Sequence, residues 1–600
     1  MNRFVALMKL TMQRLYRAMS RFPLTVLCLL GATILICYMI SLHKQPGLLV
    51  EKLAYTFLLG SFLGIAAQFA CERFERLYTK RIMVYAISTM LTIGYYLILM
   101  PVQSISHEVS IRTFVALVAM FCAFIWVPSY KSRADFNEIA LVHFKSAFIA
   151  VLYAAVLSAG CASIIAAVDI LLFKVNDDAY AYTMTIIWVL FATLYYLSLL
   201  PLFNSEDAEA REFAKESAQY PRFLEILVSY IAIPLVAAFT LVLAAYFAKI
   251  LVTLKWPSGQ LGGMVLAYSA AGLIIYILAS LSQNRFTALY RLIFPKVLIP
   301  IVIMQLISVG IRLDAYGVTE SRYYIALFGI FALVCGIMLS FKPVSKNGMI
   351  ALLAAGFAIL SVIPPIDAFT VSRVSQITRL ESMLKAEGIL SDGQITPKAE
   401  ATENLRLEAT SILNYLQRRD YTKYVAWLPA DFTTHKDMKT ILGFEPAYPK
   451  RDKDNKYFFA VLESQQPFDI SGYDIMINTD SHRGPINKQQ SASDFEVRGS
   501  KYTLVLERLS AQEVRVAVQD ANGRELVGTG LYDFAQTIAA VGTESKEALP
   551  SHQMTLDVEN NGYKLRVIFQ NINITRGDEP DAGADYALMI MFATPLSAQQ

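Results

Sequence analysis

Charged side chains are scarce in this sequence. They make up 17% of its 600 residues, where an ordinary soluble chain carries about 25%. The shortage is uneven. Residues 1–365 hold 28 Lys and Arg against 17 Asp and Glu, whereas residues 366–600 hold 25 against 32. The first part is apolar with basic connections, and the second is ordinary and slightly acidic. Cysteine is missing from the second part altogether. All six (Cys28, Cys37, Cys71, Cys122, Cys161 and Cys335) fall in the first. No disulfide framework therefore supports the polar part, and the six read as small buried hydrophobes.

Residues for chemistry are equally thin. The six histidines are His43, His107, His143, His435, His482 and His552, and no two stand at a metal-ligand spacing such as H-x-x-x-H. A phosphate-binding P-loop, a dinucleotide fingerprint and a G-x-S-x-G nucleophile elbow are all absent from the sequence. The expectation is no metal, no cofactor and no catalytic set. Whether the chain is an enzyme stays open, with the balance against it. Basic residues follow the apolar runs instead of alternating with aromatics in a patch, which argues against nucleic acid as a partner.

What the first part does have is long apolar runs. Crossing a hydrocarbon layer of about 30 Å takes about 20 residues of helix. Runs of this kind cover residues 23–40, 53–71, 82–100, 111–127, 147–173, 182–202, 223–251, 261–281, 297–311, 323–340 and 349–364, about eleven crossings in all. The ninth is the short one, with its start expected nearer Leu292. Pro234, inside the seventh run, predicts a kink, and Gly160 and Gly272 predict close helix packing.

Orientation follows from the basic residues, which are retained on the cytoplasmic side. One alternating set of connections carries 20 Lys and Arg, among them Arg73, Arg76, Lys80 and Arg81, and the other set carries 8. That bias predicts a cytoplasmic N-terminus. After an odd number of crossings, the C-terminal domain is expected on the far side of a bacterial inner membrane. Residues 1–22 place Phe4, Leu7, Met8, Leu15 and Met19 at helical spacing with Arg14, Arg17 and Arg21 between them. No small-x-small cleavage site closes the run that follows, so they read as a basic amphipathic segment on the cytoplasmic surface. Two polar residues inside the bundle stand out, because burying such groups in lipid is costly. These are Asp169 in the fifth run, within a turn of its outer end, and Gln305 in the ninth.

Composition changes abruptly after Pro364-Pro365. Helical periodicity over residues 372–387 and 399–416 predicts a helical neck within 365–456. From about Tyr457 the pattern alternates. Strands are predicted over 457–463, 473–478, 501–507, 513–519, 554–558, 564–571 and 586–592, with one helix around 533–540. Asn522-Gly523 and Asn560-Asn561-Gly562 have hairpin-turn chemistry. The expected fold is an α-helical polytopic membrane bundle over 23–364, then a soluble α+β domain. That domain is a neck followed by a mostly antiparallel β part over 457–600.

Two segments resemble a known family. Residues 311–323, Ile-Arg-Leu-Asp-Ala-Tyr-Gly-Val-Thr-Glu-Ser-Arg-Tyr, are similar to an R-I-x-x-Y-G-x-T-x-x-R signature. Pro365-Ile366-Asp367-Ala368-Phe369, followed by Ser372, Ser375-Gln376 and Arg379-Leu380, is similar to an S-x-x-S-Q-x-x-R-L stretch. Both belong to a bacterial membrane family, domain of unknown function 4153, and Arg21-Phe22-Pro23-Leu24 fits its lead-in to the first helix. The resemblance implies a multi-pass membrane protein and nothing catalytic.

The first segment is also the candidate functional loop on physical grounds: Arg312, Asp314, Tyr316, Gly317, Thr319, Glu320 and Arg322. Gly317 suggests a tight turn and Thr319 a cap for the next helix, with the two arginines bracketing Asp314 and Glu320. It is either a salt-bridged loop that fixes the helix pair or part of a ligand or partner site beneath the C-terminal domain. Three functions follow from such an architecture. The first is a non-enzymatic envelope protein that senses, binds or scaffolds. A second is a transporter or permease with an outer accessory domain and a polar cavity among the fifth, seventh and ninth helices. The third is a membrane enzyme acting on a lipid-linked substrate through Asp169, Arg312, Asp314 and Arg322. Expected partners are the lipid bilayer and an envelope protein or lipid-linked ligand; the oligomeric state is not legible.

Overall fold

The computed structural model describes residues 2–43, 46–253, 261–429, 432–448, 457–463, 468–482, 486, 488–540, 548–575 and 583–595. The chain forms two compact units, residues 1–448 and 449–600.

Among the described residues of the first unit, ten helices are long and apolar enough to cross a membrane. They are Pro23–Leu42, Leu48–Arg73, Arg81–Leu99, His107–Trp126, Phe136–Leu171, Asp178–Ser198, a helix over 222–253, Leu261–Ala279, Arg285–Tyr316 and Glu320–Phe341. Large apolar side chains such as Leu27, Ile34, Ile98, Ile164, Ile170 and Phe341 cover their outer surface. A surface this apolar fits hydrocarbon, where the helix also satisfies every backbone polar group internally. The leading helix, Asn2–Arg21, tucks Ala18 and the following Phe22 into a core cluster with Phe69, Phe124 and Val142.

An eleventh helix, Gly348–Leu360, has only 13 residues, about 20 Å at 1.5 Å per residue. Its two ends nevertheless lie at the two ends of the fourth span. The Asn347 amide donates to Asn137 Oδ1 (2.8 Å) and Ser280 Oγ (2.9 Å), and Gly348 lies beside Trp126. At the other end Arg112 donates to the Val362 carbonyl and pairs with Asp367 at 3.2 Å. The short helix thus runs antiparallel to His107–Trp126 from one rim to the other, a mismatch that local thinning of a bilayer accommodates.

Polar contacts between connections sort in the same way. One rim gathers Arg21 with Glu72 (2.7 Å), Arg73 with the Tyr130 carbonyl, and Lys145 with the carbonyls of Ser217 and Gln219 (both 2.8 Å). The opposite rim gathers Lys52 with the Met100 carbonyl (2.8 Å), Tyr55 with Ser110 (3.0 Å) and His43 with Asp178 (3.2 Å). Each contact joins connections of one parity, as alternating passage requires.

The structure corrects the sequence reading at the ninth span. Arg285–Tyr316 has 32 residues, with Pro295 and Pro300 inside it. Arg291, Lys296 and the prolines depress its apolar signal without ending the helix. Arg291 stays at the rim, where it donates to the carbonyls of Ala279 and Ser282. The short member is therefore the eleventh. Gly272 does allow close packing, since a Cβ there would lie 2.2 Å from the Phe294 ring, but Gly160 has nothing within 4 Å and faces outward. Pro234 follows a π turn over Leu227–Ala232, a wider turn that relieves the clash of its ring with the preceding carbonyl.

The neck belongs to the same compact unit as the bundle. Helices Ala368–Ala386, Glu403–Arg418 and Thr434–Leu442 close around Phe369, Leu380, Leu384, Leu413, Leu416 and Met438. Ile111 of the fourth span packs against that core. Thr434–Leu442 has no counterpart in the sequence reading.

The second unit is a sandwich of two antiparallel sheets. In one, Tyr457–Val461 and Thr555–Asn560 flank the same side of Tyr563–Thr575, which pairs in turn with Gly583–Ala593 and then Ile475–Ser481. The other is a meander, Lys488–Val497, Ser500–Arg508, Val514–Asp520 and Glu525–Gly530. Leu504, Val516 and Val518 of the meander share one core with Val567, Phe569 and Leu588, as facing sheets do. Its first and last strands escape the sequence reading. The turn between the first two is Arg498-Gly499, both at positive φ (50° and 78°), with arginine where a hairpin signal would carry asparagine.

Candidate functional site

The ninth span stops at Gly317, whose φ of 69° and ψ of 176° lie in a region open essentially to glycine alone. The sharp turn leaves carbonyls that no helix satisfies, and the neck supplies their donors. The Gln376 amide donates to the carbonyls of Tyr316 (3.0 Å) and Val318 (2.9 Å), and Arg379 donates to that of Ala315 (2.9 Å). In return the Val318 N–H donates to Ser375 Oγ at 2.9 Å. The two segments that resemble a family signature therefore clasp each other across about 60 residues. The fit is close: a Cβ on residue 317 would lie 2.7 Å from Gln376 Nε2.

Arg322 serves the same turn. It donates to the carbonyls of Tyr316 (3.1 Å) and Gly317 (2.8 Å) and lies over the Tyr316 ring at 5.4 Å. Among the described residues no ion pair joins Arg312 or Arg322 to Asp314 or Glu320, and Asp314 is exposed. Thr319 occupies the N-cap position of the tenth span without a side-chain capping bond; its hydroxyl stands 3.4 Å from that of Ser321.

Glu320 turns away from the loop altogether. It is buried, and it accepts from Tyr415 at Oε2 (2.7 Å) and from Tyr421 at Oε1 (2.8 Å), with Arg419 Nε 3.6 Å away. Burial, reinforced by the Glu320 carboxylate, holds both phenols above their ordinary value. They stay protonated and remain donors, as a buried carboxylate requires of its neighbours.

A second polar joint lies beside the first. Asp367, fully buried, accepts from the N–H groups of Phe369 and Thr370 (both 3.0 Å) and so caps the first neck helix. Arg112 of the fourth span pairs with it at 3.2 Å, lies over the Phe369 ring at 5.0 Å and is steadied by Glu108 at 2.8 Å. The Tyr323 hydroxyl adds a bond to the Ile366 carbonyl at 2.6 Å.

The remaining candidates stand apart from this clamp. Asp169 accepts from the Val175 N–H (2.8 Å) and pairs with Lys174 (3.4 Å), closing its own connection. Gln305 is buried and donates to the Ile325 carbonyl at 3.4 Å, linking the ninth and tenth spans. No hydrogen bond among the described residues joins either one to the loop. Nor do the described residues hold a group of three or more His, Cys, Asp and Glu placed to bind a metal. Sequence reasoning missed Arg112, Tyr415, Arg419 and Tyr421 as partners. A capping signal was present at Asp367, an Asp directly before a stretch of helical periodicity.

Bundle and clamp together define a polytopic membrane protein whose neck is fastened to one rim of its helices. Residues 30–395 match the domain of unknown function DUF4153, which is more than half of the chain, and the chain belongs to that family. An uncharacterised protein of Pasteurella multocida (strain Pm70) is 22% identical over 282 residues, 46% of this chain and 47% of the relative. The similarity thus spans about half the length of that relative. No solved structure matches.

Proposed function

We propose that this chain is a non-enzymatic protein of a bacterial inner membrane that carries its β-sandwich on the outer side, where it senses, binds or scaffolds. The bias of 20 basic residues to 8 supports a cytoplasmic N-terminus, and eleven crossings from there lead outward. The partner is then an envelope protein or a lipid-linked ligand.

The clamp is the observation that carries the reading. A loose tether between an anchor and a domain needs no buried carboxylate, no capped ion pair and no interlocked turn. Groups of that kind are costly to bury, and here three of them converge on the neck. They suit a neck held rigidly on the bundle, both within one compact unit. The permease alternative calls for a polar cavity among the fifth, seventh and ninth spans. Val228, Leu243 and Phe247 instead pack with Leu298, Ile301 and Val302 in one apolar core, which favours the first reading.

Complementation tests it. A chain ending at Tyr448 keeps bundle, clamp and neck. In a strain lacking the protein it should insert normally and fail to restore the lost envelope phenotype, whereas the full chain restores it. Full rescue by the shortened chain would sink the display role.

A further inference from the structure

Arg14, Arg17 and Arg21 stand at i, i+3 and i+7 of the leading helix and so share one side of it. That side borders a cavity of about 460 Å³, within the range of about 300–1,000 Å³ that small ligands occupy. Arg21 is committed to the wall: it holds Glu72 through two bonds of 2.7 Å and donates to the carbonyls of Leu200 and Pro201. Arg14 lies over the Phe213 ring at 5.7 Å. Arg17 is exposed, and among the described residues no carboxylate pairs with it.

Asp207 and Glu209 line the same cavity. Asp207 caps the surface helix Ala208–Ala218 through the Ala210 N–H at 2.9 Å, and Glu209 occupies its first turn. Among the described residues neither acid forms an ion pair with the arginines. One cavity thus carries cationic and anionic side chains that do not neutralise one another.

Depth identifies what such a cavity meets. Arg21 stands two residues before Pro23, where the first span begins, and Ser198 ends the sixth. The cavity therefore sits where hydrocarbon gives way to lipid headgroups. Its apolar edge, Leu197, Leu200 and Phe213, suits a glycerol backbone and the first methylenes of an acyl chain.

We propose that this cavity binds the headgroup of a phosphoethanolamine lipid, with the phosphodiester at Arg14 and Arg17 and the ammonium at Asp207 and Glu209. A purely anionic headgroup satisfies the arginines but repels the carboxylates. A choline headgroup has the charge but no N–H to donate to them. The site is independent of what the outer domain does.

Native mass spectrometry of the full-length protein, released from micelles holding equal amounts of phosphatidylethanolamine, phosphatidylglycerol and phosphatidylcholine, tests the proposal. Retention of phosphatidylethanolamine over the other two by about tenfold is expected, the scale of one or two charge-assisted bonds. The double variant Arg14→Gln with Arg17→Gln should lower that retention about tenfold. Asp207→Asn with Glu209→Gln, which keeps a capping side chain, should remove the preference over phosphatidylglycerol. Soluble phosphoethanolamine at millimolar concentration should fail to displace the lipid; full displacement would move the assignment to a free metabolite. Equal retention of the three lipids by the wild-type chain would overturn the proposal without reference to any variant. So would retention unchanged by the arginine substitutions.

Discussion

Tyr421 donates to Glu320 across 2.8 Å and 101 residues of sequence, joining the neck to the first turn of the tenth span. Tyr415 occupies the other carboxylate oxygen at 2.7 Å, so one buried side chain satisfies two phenols at once. Glu320→Ala would strand both donors and remove the carboxylate that lies 3.6 Å from Arg419. A buried polar group left unbonded costs about 1–3 kcal/mol, so the neck should lose about 2–4 kcal/mol of local stability. Glu320→Gln keeps one good acceptor and should cost about half as much. Hydrogen exchange across Glu403–Arg418 reads the effect, and unchanged protection in the alanine variant would show that the contact does not hold the neck.

The same pair predicts a response to alkaline pH. Folding raises both phenols above the ordinary value of 10.0, so the folded neck keeps protons that the unfolded chain gives up. Their contribution is complete below pH 10.0 and is lost as pH rises past it. Thermal melting of the neck should therefore be level with respect to these groups up to about pH 10 and fall above it. In the variant Tyr415→Phe with Tyr421→Phe that alkaline limb should flatten; an identical limb would assign it to other groups.

Gly317→Ala tests the interlocked turn. The added methyl meets Gln376 at 2.7 Å, and the backbone there disfavours every other residue by about 1–3 kcal/mol. Protection of Ala368–Ala386 against exchange should drop by that amount. Gly310→Ala, in open space on the same span, should be neutral or stabilising by up to about 1 kcal/mol. Equal behaviour of the two variants would mean that the turn bears no strain.

Arg112 and Asp367 invite a double-mutant cycle. Removing Arg112 leaves a fully buried carboxylate with its capping bonds but without its cation. Loss of one partner of a buried pair costs about 3–5 kcal/mol; because Arg112 is itself 30% exposed, about 2 kcal/mol is expected. Asp367→Asn keeps the cap and should cost less. The two together should cost clearly less than their sum, whereas strict additivity would show that the charges do not interact.

How much of this was legible beforehand depends on distance along the chain. Apolar length announced every crossing, since a helix in hydrocarbon leaves few other choices for the backbone. It undersized Arg285–Tyr316, because Arg291, Lys296 and two prolines interrupt the apolar run without ending the helix. The strand Lys488–Val497 was hidden by its composition, Lys-Gln-Gln-Ser-Ala-Ser-Asp-Phe-Glu-Val, which places few apolar residues on either face. In the clamp, both signature segments were visible, but their mutual grip was not. Glu320 read as a partner for Arg322 because the two are neighbours in sequence. Its real partners lie 95 and 101 residues away, and no local pattern encodes that.

The eleventh helix decides on which side the β-sandwich emerges, and its 13 residues fall short of the usual span. Two joints argue that it crosses all the same. Asn347 is fixed to Asn137 and Ser280 at one rim, and Asp367 to Arg112 at the other. Asn137 and Arg112 sit on helices that are long enough on their own account, and Ser280 directly follows another. A reporter fused after Lys346 should therefore be active in the cytoplasm, and one fused after Gln600 only outside it. Equal reporting from both points would mean that Gly348–Leu360 re-enters the rim it left, and the sandwich would then belong to the cytoplasmic face. Arg112→Ala with Asp367→Ala sharpens the test. If the outer joint holds the short helix across the bilayer, that variant should give mixed reporting at Gln600 while the reporter at Lys346 stays cytoplasmic.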